Sequence, residues 1–200
     1  MSLGNLGVDP AETGRISCCG RYRSHVERDD IQKAIRSAFA KVRLRSGVSL
    51  RQAESIDGTI FGLEPTYVGR EPDEITDDWM RVPESELLRD NIAHLDADGL
   101  RYYLPALMLW LLDHYDEDRW LSGSDMTAIG TMGAIAPEQQ FATSLWAIYD
   151  TFTAEQRTAI ASYVEALPRL VRLDHQDATR VARSMDDYWR RFLPPFSLTG

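Results

Sequence analysis

The sequence predicts an all-α protein, an irregular helical bundle built around a central buried helix at about residues 97–115. Three observations carry the prediction. Between Leu100 and Leu112 the residues Leu100, Tyr103, Leu104, Leu107, Met108 and Leu111 recur at helical spacing, the flanks are apolar too, and Arg101 is the only charge. Comparable stripes precede and follow that stretch, whereas no alternating strand pairs and no fixed-period repeat occur. The chain of 200 residues is 44% hydrophobic and 26% charged, which suits one well-cored domain. The central run is shorter than the roughly 18 to 20 apolar residues that cross a bilayer, so it reads as a core helix and no membrane partner is expected.

Taken in order, residues 1–27 are rich in Gly, Ser and Arg and lack apolar periodicity, so a flexible leader is expected there. A single helical domain is expected over 28–193, with a short tail at 194–200. Its first helix runs from about Asp29 to Arg43, with Ile31, Ala34, Ile35, Ala38, Phe39 and Val42 as its stripe. Acids lead it and bases end it, as the helix dipole favours. Ser49 and Gln52 form a capping box that opens a short helix carrying Glu54 and Asp57, which Gly58 should stop. From 59 to 82 a long connection contains Gly62, Pro65, Gly69 and Pro72, with a helical turn expected over Asp73–Trp79.

Pro83 suits the first turn of a helix that buries Leu87, Leu88, Ile92 and Leu95. Asp96 caps the central helix, and Pro105 inside it predicts a kink or short break near Tyr102–Leu104. A Gly-containing loop is expected up to Ala136. A helix from Pro137 then uses Phe141, Leu145, Ile148, Tyr149 and Phe152. Thr153 and Gln156 form a second capping box, opening a helix that Pro168 should end. A last helix is expected from about Asp174 to Phe192.

The net charge is −9, from 22 basic and 31 acidic side chains. Such a chain repels phosphate backbones and no basic stripe offsets it, so nucleic acid is not an expected partner. The same acidity attracts a basic protein. Cys18 and Cys19 are adjacent and have no second pair, which fits neither a structural bridge nor a zinc site. With no secretory leader evident, a reducing cytoplasm is the expected location.

Three segments together resemble a family of small bacterial proteins whose shared domain has no assigned function. They are Gly47-Val48-Ser49-Leu50-Arg51-Gln52-Ala53-Glu54-Ser55-Ile56-Asp57, then Asp78-Trp79 followed by Pro83, then Leu95–Ala106 with Arg101-Tyr102-Tyr103-Leu104-Pro105-Ala106 at its heart. A weaker likeness extends through Thr153–Leu167. The resemblance brings no catalytic residues with it.

Candidate chemistry centres on Arg101, a guanidinium on an otherwise apolar helix that must reach water or meet carboxylates. Glu54 and Asp57 lie three apart and can face one way. The structural reading pairs Arg101 with one of them and locks the short helix to the core. The functional reading makes Glu54, Asp57, Arg101 and Tyr102 a polar ligand pocket. His114 has Asp113 and Asp116 nearby, which reads better as a solvated acidic helix end than as a divalent-ion site. No metal site, cofactor motif, phosphate loop or nucleophile elbow is found. Trp79 and Trp120 lie beside acids in loop-like segments, where each is either an interface anchor or a ring folded over the bundle. The expected function is therefore a non-catalytic protein-binding or regulatory module, against the alternative of a small-molecule-binding protein or enzyme using the carboxylate, Arg and Tyr pocket.

Overall fold

The computed structural model describes residues 17–60, 69–89, 91–115 and 125–194, with side chains from residue 27 onward except at 58–60 and 125. Among the described residues there are eight α-helices and no strand, the all-α bundle that the apolar stripes require. They are α1 (Ser17–Phe39), α2 (Leu50–Ile60), α3 (Glu84–Leu87), α4 (Ala97–His114), α5 (Asp125–Ile135), α6 (Gln139–Tyr149), α7 (Ala154–Leu170) and α8 (His175–Asp187). Among those residues no helix is long and apolar enough to cross a membrane.

The centre is α4. Asp96 caps it by accepting from the Gly99 amide at 2.7 Å, and every residue from Tyr102 to Leu112 is buried. Such a helix needs neighbours on all sides, and α1, α3, α5 and the 3-10 turn Trp79–Arg81 supply them. Pro105 does not break it. Its missing N–H removes one backbone bond, yet the chain stays helical from Ala97 to His114 because packing on every face outweighs that loss.

Other boundaries move for identifiable reasons. Helix α1 begins at Ser17, well before Asp29, within a stretch that shows no apolar stripe to announce it. It ends at Phe39 rather than Arg43, because Leu44 is fully buried and its amide donates to the Thr76 carbonyl at 2.8 Å, turning the chain away. Helix α2 runs through Gly58 to Ile60. The helix expected after Pro83 is interrupted: α3 stops at Leu87 and a 3-10 turn covers Ile92–His94. The turn expected over Asp73–Trp79 falls instead at Trp79–Arg81, capped by Asp78.

Three further differences lie downstream. The Gly-containing loop before Ala136 holds α5, whose Thr127, Ala128, Thr131, Met132 and Ile135 are buried while Met126 and Ile129 are exposed. Pro168 does not end α7 but falls in its last turn, where the helix runs on to Leu170 at the loss of the one bond a residue 168 amide would make to the Val164 carbonyl. The last helix splits at Tyr188, whose backbone (φ −140°, ψ −54°) leaves the helical region. That turn drives Trp189 into the core, with its indole donating to the Ile135 carbonyl at 2.7 Å. It also lays Tyr188 flat on Trp146, 4.3 Å between ring centres.

Candidate functional site

Two of the three segments that carry the family resemblance meet at one junction, and the Trp79–Arg81 turn of the other packs on α4. Glycine is required there by close approach: a Cβ on Gly47 would sit 2.6 Å from the Gly99 amide nitrogen, and one on Gly99 would sit 2.3 Å from the Val48 carbonyl oxygen. Asp96 seals the contact, since the same Oδ1 that caps α4 also accepts from the Val48 amide at 2.9 Å. Trp79 belongs to this architecture. It is buried at 1% exposure, and its indole donates to the Phe39 carbonyl at 2.9 Å.

Beside the junction, helix α2 holds out a row of charges that α3 and the 69–83 segment complete. Arg51 grips both carboxylate oxygens of Asp73, at 3.0 and 3.2 Å, and its Nε donates to Glu86 Oε2 at 3.1 Å. Arg89 donates to the same Glu86 oxygen at 3.1 Å and also pairs with Glu54. The hydrogen bonds that Arg51 donates to Asp73 hold the Asp73 carboxyl below its usual range and are the chief cause that raises the Arg51 guanidinium. Arg51, Asp73 and Glu86, with Glu74, Arg81, Val82 and Tyr103, line a cavity of about 190 Å³.

A second, larger concavity runs between α1 and α7 and holds about 990 Å³. Its floor is made of small side chains on both helices, Ala34 and Ala38 facing Ala159 and Ser162. Small residues leave the void that larger ones would fill. Its rim collects Lys41, Arg43, Arg45 and Arg101. The first three come from the bend after α1, where Arg45 adopts φ 51°, a left-handed conformation uncommon for a non-glycine residue. The Arg70 guanidinium holds that bend by donating to the Arg45 and Gly47 carbonyls.

Comparison with known proteins fits this picture. The model of a family of unknown function, DUF6714, matches residues 27–193. The chain belongs to that family. No curated protein and no solved structure matches it. The residues quoted above for the resemblance have a structural account: two glycines for contact, Asp96 as a double cap, Ser49 and Gln52 as a capping box, and Arg51 as an ion-pair hub.

The four residues expected to form a pocket do not converge. Asp57 meets His94 at 3.0 Å and Glu54 meets Arg89. Tyr102 is fully buried, its hydroxyl donating to the Ile75 carbonyl at 2.9 Å. Arg101 turns the other way, to Asp98 at 3.2 Å and to the Thr151 carbonyl at 2.7 Å, with its guanidinium 4.9 Å from the centre of the Phe152 ring. The expected pairing of Arg101 with Glu54 or Asp57 is corrected accordingly, since α4 carries Arg101 on the face toward α7. Trp79, being buried, is no exposed anchor. Trp120 and Asp116 lie outside the described residues. His114 stacks on Trp110 and approaches Glu84 at 3.3 Å, and among the described residues no three metal-ligating side chains converge.

Sequence reasoning passed over Arg51, Glu86 and Tyr103, although Arg51 stands inside a resembling segment. It read Lys41 and Arg43 only as the bases that end the first helix, and it passed over Arg45. Their signal was a local one, three bases within five residues of an acidic chain.

Proposed function

We propose that this DUF6714 domain is a non-catalytic binding module that seats an acidic segment of a partner protein in the groove between α1 and α7. One observation carries the reading. On a chain of net charge −9 the groove brings together four cations, Lys41, Arg43, Arg45 and Arg101, against two acids, Asp98 and Glu155. A local field opposed to the global one selects a ligand carrying negative charge at that place. Lys41, Arg43 and Arg45 are exposed, as are Thr151 and Thr153 opposite, so the groove is open along its length. Open grooves suit polypeptide segments, whereas small molecules are held by pockets that bury most of their surface.

The carboxylates that the enzyme reading would employ are already engaged, Glu54 in an ion pair with Arg89 and Asp57 in a hydrogen bond with His94. A basic partner, expected from net charge alone, would engage the acidic surface outside the groove. Titrating the full chain with a fluorescent Glu-rich peptide and a Lys-rich peptide of equal length separates the readings. The Glu-rich peptide should bind and be released by added salt, and Lys41→Glu with Arg43→Glu should weaken it by about tenfold or more. Preference for the Lys-rich peptide, or indifference to both reversals, contradicts the proposal.

A further inference from the structure

At the cationic end of the groove the chain turns over Leu44-Arg45-Ser46-Gly47, and the Gly47 amide closes the turn by donating to the Leu44 carbonyl at 2.8 Å. Both ends of the turn are pinned. Leu44 is fully buried with its amide on the Thr76 carbonyl, and Gly47 packs against Gly99. Arg45 stands second in the turn with φ 51°, and among the described residues no other non-glycine has a positive φ. That position ordinarily takes glycine or asparagine, because a Cβ crowds the backbone there. A long side chain held in such a conformation is local strain of the kind that collects where ligands are gripped. Arg70 braces it, its guanidinium donating to the carbonyls of Arg45 and Gly47.

The four cations of the groove are not equivalent. Arg101 donates to Asp98 and to Thr151, and Arg43 donates to the Val42 carbonyl at 3.0 Å. Arg45 is exposed and lines the groove, and no described residue hydrogen-bonds to or pairs with its side chain. Lys41 is equally unengaged, but an ammonium is a point charge. A guanidinium offers two parallel donors that match the two oxygens of a carboxylate.

We infer that Arg45 is the specificity-determining residue of the groove, closing a two-pronged pair on a carboxylate of the bound acidic segment, with Arg70 as its positioning residue. This rests on the groove being the seat of that segment. A turn already fixed before the ligand arrives loses little freedom on binding, so its strain is offset by a rigid mount for the one guanidinium that is free.

The test titrates the full chain and its variants with the fluorescent Glu-rich peptide and follows their thermal unfolding. Arg45→Gly and Arg45→Asn both suit a positive φ, so each should unfold at or above the parent midpoint while binding the peptide about tenfold more weakly. Arg45→Lys keeps the charge without the fork and should stay weakened by about threefold or more. Arg70→Met should weaken binding by about threefold or more in the parent chain and leave it unchanged beside Arg45→Gly, whereas a merely structural role would weaken both backgrounds alike. Peptide affinity lost in Lys41→Glu with Arg43→Glu but kept in Arg45→Gly and Arg45→Asn overturns this inference and leaves the groove reading standing. Full affinity in Arg45→Lys overturns the two-pronged pair. A peptide that binds none of the chains overturns both readings.

Discussion

Gly99 shows how a single residue fixes the meeting of two segments. A methyl group there would lie 2.3 Å from the Val48 carbonyl oxygen, a backbone atom that cannot rotate away. Gly99→Ala should therefore destabilise the protein by about 2 kcal/mol or more in chemical denaturation, as overpacking does. Gly133, inside α5, is the control. A Cβ there meets nothing nearer than the Arg180 guanidinium at 3.8 Å, so Gly133→Ala should raise stability by about 0.5 to 1 kcal/mol through helix propensity. Equal effects at the two positions would contradict the close-approach account.

Buried tyrosines make a second residue-scale prediction. Burial, joined by the carboxylates of Asp177 and Asp150, pushes Tyr115 and Tyr188 up to about 12. Burial raises Tyr149 and Tyr163 as well. In the unfolded chain these phenols ionise near pH 10. Protons leave the unfolded state first, so stability is fully present below about pH 10 and declines as pH rises toward 12. Denaturation midpoints across that range, read beside tyrosinate absorbance, check the sign. Tyrosines that all titrate near pH 10 with the fold intact would contradict it.

At the scale of elements, what the sequence disclosed depends on how each helix buries itself. Helices α4, α7 and α8 showed themselves because an apolar stripe and a side-chain cap coincide: Asp96 for α4, Thr153 for α7 and Asp174 for α8. Helix α5 did not, since its small and polar inward residues, Thr127 and Thr131 among them, break no surface into a recognisable stripe. Pro105 misled for the converse reason, because a local rule about backbone donors was overridden by packing on all faces of α4. The candidate pocket failed at this scale too. Glu54 and Asp57 were rightly placed on one short helix, but sequence spacing says nothing about which face of α4 turns toward it. Arg101 instead ties the start of α4 to the corner between α6 and α7 through Thr151 and Phe152. Arg101→Met should cost about 1 to 2 kcal/mol of stability for those bonds and the ring contact. An unchanged thermal midpoint would remove Arg101 from that corner.

The whole molecule separates two kinds of polar surface. Charges near α2 and α3 are matched pair by pair and hold the family's segments together, apart from one Glu86 oxygen. Charges along the α1–α7 groove are not balanced, four bases facing two acids on an acidic protein. No sequence window could show this, because Arg101 reaches the rim only after α4 has packed, about sixty positions from Lys41. Hydrogen exchange of the full chain with and without a bound Glu-rich peptide tests the central claim most directly. Added protection should appear over residues 34–45 and 151–162, the two walls of the groove. Protection confined to α5 or α8, or none at saturating peptide, would contradict the account.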